Sequence, residues 1–275
     1  MRGAALLFLM ALVGCGQPVP QGSPRLQPTI VSLNPCSDAV LAEVASPGQL
    51  LAISHYSQDR ASSSMDIARA AQFRAVSGSA EEILALRTQV VVTDPFLAPA
   101  TRAALEQMGV KVVTLPIARS LDESREQVMA LARLAGNDAA GLALNRRIDA
   151  ALAEAAPAQG GNPVSAIVWQ AGGIVPGRDT LIAGLLERTG FVLASAAQGM
   201  GQADHLPLEM LLADPPSVLF VAGDIRSQEN RSLVHPVLGH LEGMKRVPFD
   251  ASLLWCGGPT LERAARRLAA TRNSL

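Results

Sequence analysis

Ser79-Ala80-Glu81-Glu82-Ile83-Leu84-Ala85-Leu86-Arg87-Thr88-Gln89-Val90-Val91-Val92 and Pro207-Leu208-Glu209-Met210-Leu211-Leu212-Ala213-Asp214-Pro215-Pro216-Ser217-Val218-Leu219-Phe220 are two versions of one phrase. Each opens on a polar or Pro lead-in, places a Glu in the first turn of a short helix, and closes on an apolar run. An unbroken run such as Val90-Val91-Val92 suits a strand covered on both faces, as in a parallel sheet. One αβ element in two copies implies two similar α/β lobes. Two lobes imply a cleft, the architecture of a chain that closes on a ligand.

Outward from the first copy, the pattern keeps alternating. Thr29 to Leu33 reads as a strand with Asn34-Pro35-Cys36 as its exit loop, and Ser37 or Asp38 is a candidate cap for a helix over 39–45. Leu50 to Ile53 reads as a second strand leading into Ser54-His55-Tyr56-Ser57. A helix over 100–108 and a strand over 110–115 follow the phrase. Strands alternating with helices predict a parallel, helix-covered sheet. Ser120-Leu121-Asp122-Glu123 has capping-box spacing, and helical periodicity then runs to Gly136 and resumes to Leu152. The second of these helices has about 18 residues and so a length of about 27 Å. Beyond Pro157 a second lobe reads as a strand over 164–169 and a glycine-rich turn, then a helix over 180–189 and a strand over 191–193. The second phrase, a helix around 234–241, a strand near 246–248 and a helix over 260–272 complete it. The expected division is 29–119 for the first lobe, 120–162 for a helical connector and 163–275 for the second lobe.

The chain has 275 residues, 49% of them apolar and 17% charged, which excludes a disordered polymer and supports proper cores. The longest apolar stretch, Ala4 to Gly14, falls short of the roughly 20 residues of a spanning helix. A net charge of −1 with no basic stripe excludes nucleic acid as the partner. Residues 1–15 read as an export signal. Leu12-Val13-Gly14-Cys15 resembles a bacterial lipobox, in which Cys15 would become the N-terminal residue and carry lipid, tying the chain to a membrane in the periplasm or at the cell-envelope surface. Residues 16–28, rich in Pro, Gly and Gln, would be a flexible tether. Two cysteines then remain, Cys36 and Cys256. They could form an inter-lobe disulfide, ligate a metal or stay as thiols. Free cleft thiols are the expectation, because a bond would lock the cleft.

No catalytic signature is present: neither a Gly-x-Ser-x-Gly elbow, nor a phosphate-cradling glycine loop, nor His-Glu-x-x-His. His235 and His240 stand at the wrong spacing for one helical face, so no metal site and no cofactor is expected. Aromatics make up only 3% of the chain, yet Tyr56, Phe96, Trp169 and Trp255 all fall at or just beyond expected strand C-termini. Ligands bind outside those ends in open α/β sheets. The candidate lining is therefore Asn34, Cys36, Tyr56, Phe96, Trp169, Gln170, Trp255 and Cys256.

Thr29 to Pro35, Ser54 to Ser57 and Glu81 to Leu86, in that order, resemble the iron-complex and vitamin B12 group of ABC-transporter solute-binding proteins. The likeness covers nearly the whole mature chain, and departs at Arg87-Thr88-Gln89, where the group has a basic residue, Pro and Asp. It implies two Rossmann-like lobes of parallel sheet joined by a long helical connector, the class III periplasmic-binding-protein architecture. It also implies capture of a metal chelate (a corrinoid, a siderophore-iron complex or heme) for an ABC permease dimer, on whose arginine pockets Glu81 and Glu209 would dock. The expected lining offers few cations apart from Arg178, which favours a near-neutral corrinoid. An exported enzyme acting on a chelate, or a transport-inactive sensor module, is the alternative.

Overall fold

The computed structural model describes residues 27–158, 160–223 and 243–275, together with Gln228, Leu233, Pro236, Leu238 and Leu241. The export signal, the lipobox Cys15, most of the tether and most of the helix expected around 234–241 lie outside the described residues.

Five apolar runs become β1 (Ile30–Ser32), β2 (Leu50–Ser54), β3 (Ala75–Val76), β4 (Val90–Thr93) and β5 (Lys111–Thr114). They pair in parallel in the order β3-β2-β1-β4-β5. The connecting helices are α1 (Pro35–Val44), α2 (Ile67–Ala70), α3 (Ala80–Ala85) and α4 (Pro99–Gln107). Two long helices follow, α5 (Leu121–Leu134) and the 18-residue α6 (Asp138–Ala155). Gly141 lets these two approach closely, because a Cβ there would meet the Cβ of Ala132 and the sulfur of Met129.

The second sheet is built from β6 (Val164–Trp169), β8 (Phe191–Leu193), β10 (Val218–Ala222) and β11 (Lys245–Phe249). All its pairs are parallel, in the order β11-β10-β6-β8. A small antiparallel pair, β7 (Ile174–Pro176) and β9 (Ala203–His205), stands apart from it. The helices here are α7 (Leu181–Arg188), α8 (Ala194–Ala197), α9 (Leu208–Ala213) and α10 (Thr260–Arg272). The repeated phrase folds as α3–β4 and α9–β10. In both sheets its strand lies directly beside the opening strand, β4 on β1 and β10 on β6. Two such sheets define a class III periplasmic-binding-protein-like α/β fold.

Strand alternation sorts the core. Ile30, Val90 and Val92 face inward with Ala166, Val168, Val218 and Phe220 of the other sheet. Between them lie α1, α5, α6, α7 and α10, so one continuous core runs through both sheets. Val31 and Val91 face the opposite way, onto Ile83 and Leu105. Phe220 meets Phe191 and Phe249 edge-on at 5.4 Å each, a geometry that adds about 0.5–1.5 kcal/mol per pair beyond area burial.

Helix starts follow side-chain chemistry. The first helix begins at Pro35 rather than near Ala39, because Asn34 accepts from the amides of Cys36 and Ser37 and Pro35 supplies the first helical φ. Ser37 and Asp38 therefore lie inside the helix instead of capping it. Ser120 accepts from the Glu123 amide at 3.1 Å, while the Glu123 carboxylate reaches back to the amide of Arg119 at 2.7 Å. The divergent Arg87-Thr88-Gln89 turn is closed locally. Arg87 takes a left-handed φ of 50°, Thr88 Oγ1 donates to the Thr29 carbonyl, and Gln89 Oε1 accepts from the Thr29 amide.

Candidate functional site

A cavity of about 550 Å³ opens at the C-terminal ends of the second sheet's strands. Its walls come from many short segments. Gln170 and Ala171 leave β6, Ile174 and Pro176 belong to β7, and Asp179 to Ile182 begin α7. Gln202 and Ala203 come from the β9 side, Ala222 and Gly223 from the end of β10, and Ala251, Leu254 and Trp255 from the stretch after β11. Ile117, Ala118 and Arg119, the segment leaving the first sheet, complete it. Among the described residues the lining is mostly aliphatic, with Trp255 as its one aromatic and Arg119 and Asp179 as its charged side chains. Such a wall accepts a bulky apolar body and orients it with a few polar groups. Gly177 is required at the α7 entry, since a Cβ there would collide with the Met200 carbonyl.

Of the eight expected lining residues, Gln170 and Trp255 line this cavity. Trp255 is 54% exposed, an apolar ring left facing open space. Tyr56 and Phe96 are also exposed, at the C-terminal ends of β2 and β4, but stand outside the lining. Asn34 serves the fold, capping α1 and donating from Nδ2 to Asp94 at 3.0 Å.

Trp169 corrects the sequence reading. It is 1% exposed and packed with Ile167, Val175, Leu206, Leu211, Leu219 and Val221. Trp169 shares strand parity with Ile167, so its ring turns under the β7–β9 pair instead of into the cleft. Gly173, at a φ of 80°, makes room for it, because a Cβ there would stand 3.2 Å from Trp169 Cζ2.

The cysteines are a second correction. Cys36 and Cys256 form a disulfide with Cα atoms 5.0 Å apart, so neither is a free thiol and neither lines the cavity. Ser64 Oγ lies 2.8 Å from Cys256 Sγ. Arg178, the cation expected near the ligand, is exposed and outside the lining, whereas Arg119 is part of it. Sequence reasoning missed Ile117, Arg119, Asp179 and Leu254. The capping box at Ser120 could have pointed to the segment just before it, because a helix start fixes where the preceding chain must run.

Behind Tyr56 sits a buried acid. Asp38, in the first turn of α1, accepts at Oδ2 from the Ser54 amide at 2.9 Å and from Ser57 Oγ at 2.7 Å. Burial pushes its pKa up to about 8, outweighing hydrogen bonds to Ser32, Ser57 and Ser54 that favour the carboxylate. The 3-10 turn His55–Gln58, which carries Tyr56, is thereby fastened to the start of α1.

Two parallel sheets with a largely aliphatic cavity at strand C-termini are the frame of a binding protein. The chain belongs to the periplasmic binding protein family, whose model matches residues 30–240. This is a family of binding proteins, not of enzymes, and its members work outside the cytoplasm. No curated protein matches the sequence. Among solved structures, the periplasmic heme-binding protein HutB of Vibrio cholerae aligns with a TM-score of 0.71 at 16% identity, over 89% of this chain and 98% of that one. The periplasmic heme-binding protein RhuT from Roseiflexus sp. RS-1, in apo form, aligns with a TM-score of 0.68 at 20% identity, over 90% and 97%. The periplasmic vitamin B12 binding protein BtuF of Vibrio cholerae aligns with a TM-score of 0.66 at 16% identity, over 90% and 97%. Among the described residues no helix is long and apolar enough to cross a membrane.

Proposed function

We propose that this chain captures a metal chelate, of the corrinoid, siderophore-iron or heme class, in the cavity walled by Trp255 and Gln170, and delivers it to an ABC importer. The observation that carries this reading is the cavity itself. It is about 550 Å³, largely aliphatic, and sited at strand C-termini where the first sheet's exit segment meets the second sheet. Arg119 does not make the site strongly cationic, because Glu123 lies 3.4 Å from its guanidinium. Solved structures with this fold include periplasmic heme-binding and vitamin B12 binding proteins.

Delivery would use Glu81 and Glu209. Both are exposed and stand in the first turns of α3 and α9, the matching helices of the two halves. Glu82 beside the first is occupied, accepting from the amide and hydroxyl of Ser77. Lipid on Cys15, with residues 16–28 as a tether, would keep the receptor at the membrane that holds the permease. Residues 29–119, 120–162 and 163–275 would be the two lobes and their connector. Titration of the purified chain with hemin, with cyanocobalamin and with a ferric siderophore, followed by tryptophan emission, tests the reading. Saturable quenching by any one of them supports it, and no response to all three counts against it.

A further inference from the structure

The short stretch Trp255 to Thr260 belongs in sequence to the second half but is fastened to the first. Cys256 is bonded to Cys36 at the start of α1. Gly258 N–H donates to Ser124 Oγ on α5 at 2.9 Å. Thr260 Oγ1 and Arg263 Nη2 both donate to the Ser64 carbonyl, at 2.9 and 3.0 Å. The two glycines make this approach possible, since a Cβ on Gly257 would collide with the Ser124 side chain and one on Gly258 with Val40 of α1. The crossover thus threads between α1 and α5, and Trp255 is the last residue before it.

We infer that the Cys36–Cys256 disulfide is a positioning element of the binding site, anchoring Trp255 to the first half so that this wall stays fixed while the β6–β7 wall opposite it adjusts. The consequence is chemical as well as mechanical. A half-exposed ring on a free loop would lose conformational freedom on binding, and a ring already held in place loses little. Cleavage of the bond therefore loosens the ring without removing any ligand contact. The two cysteines never touch the ligand.

The test uses the full mature chain with Trp169→Phe, which leaves Trp255 as its only tryptophan. Cys36→Ser with Cys256→Ser is compared in that background with Arg272→Ala. The latter removes bonds from Arg272 to the Ala155 and Thr189 carbonyls, at the far end of α6 and α7 from the cavity. It supplies a destabilised chain whose crossover is intact. The serine pair should raise the amplitude of fast depolarisation of Trp255 at least about twofold and weaken hemin or cyanocobalamin binding about three- to tenfold. Arg272→Ala should change neither, whatever its thermal stability. Parent-like depolarisation in the serine pair overturns the inference, and so does an equal change in Arg272→Ala. The affinity arm rests on chelate capture, the depolarisation arm does not. If the parent binds neither probe nor a ferric siderophore, that function fails and depolarisation alone decides the role of the disulfide.

Discussion

Ser57 Oγ donates to Asp38 Oδ2 across 2.7 Å with both side chains buried, and this bond fastens the turn that presents Tyr56 to the first turn of α1. A hydrophobic core gives the turn no reason to adopt one geometry, but a buried acceptor does. Rigidity at this edge of the first sheet therefore depends on the state of one acid.

That acid makes stability depend on pH. Burial pushes the Asp38 pKa up to about 8 in the folded chain, from an ordinary carboxyl value of 3.8. Between those values the folded protein retains a proton that the unfolded chain has released. Stability from this group is complete below about pH 4, falls as pH rises, and levels off above about pH 8. Thermal unfolding should show a lower midpoint at pH 8 than at pH 5, and Asp38→Asn should flatten that difference. A parent midpoint that rises across this interval would count against the assignment.

The two tryptophans should separate binding from folding. Trp255→Ala should weaken chelate binding by about 1–3 kcal/mol with little effect on unfolding. Trp169→Ala should cost about 3–5 kcal/mol of stability, because it empties a packed site under the β7–β9 pair. Urea denaturation and hemin titration of both variants distinguish the roles. A binding defect in Trp169→Ala without lost stability would contradict the burial.

This pair also shows where sequence was legible. The duplicated α3–β4 and α9–β10 phrase could be read because a fully covered strand leaves an unbroken apolar run and each short helix carries a Glu in its first turn. The face a side chain takes at a strand's last residue was harder to read. Trp169 ends β6 and Trp255 comes after β11, yet parity turned one inward and a 3-10 turn at Ala251–Leu253 left the other at the cavity. Cys36 and Cys256 meet only because Gly257 and Gly258 allow a crossover between α1 and α5, a contact across 220 residues that no local pattern encodes. The same holds for Ile117 and Arg119, whose place in the lining depends on where the two halves come together.

Gly177 should resist substitution. Its missing Cβ lets the α7 entry pass the Met200 carbonyl, and Gly177 N–H donates to the Gln202 carbonyl at 3.0 Å. Gly177→Ala must push backbone against backbone at the cavity wall, which should cost at least about 1 kcal/mol and weaken binding as well. Denaturation and titration at wild-type values would show that the wall yields freely.

Docking should be separable from capture. Glu81→Arg together with Glu209→Arg should abolish uptake in cells while leaving the purified protein's ligand affinity within about twofold, because both carboxylates are exposed and remote from the lining. Uptake at the parental rate would leave the two glutamates as residues that favour helix N-termini and nothing more.

Chelate capture is tested most directly by native mass spectrometry, with metal analysis, of the chain purified from its own host. The account predicts a folded protein carrying a single iron- or cobalt-containing chelate, released on denaturation and lost from the Trp255→Ala variant at ligand concentrations that still saturate the parent. A chain that arrives empty and shows no mass shift after incubation with hemin, cyanocobalamin and a ferric siderophore would contradict it.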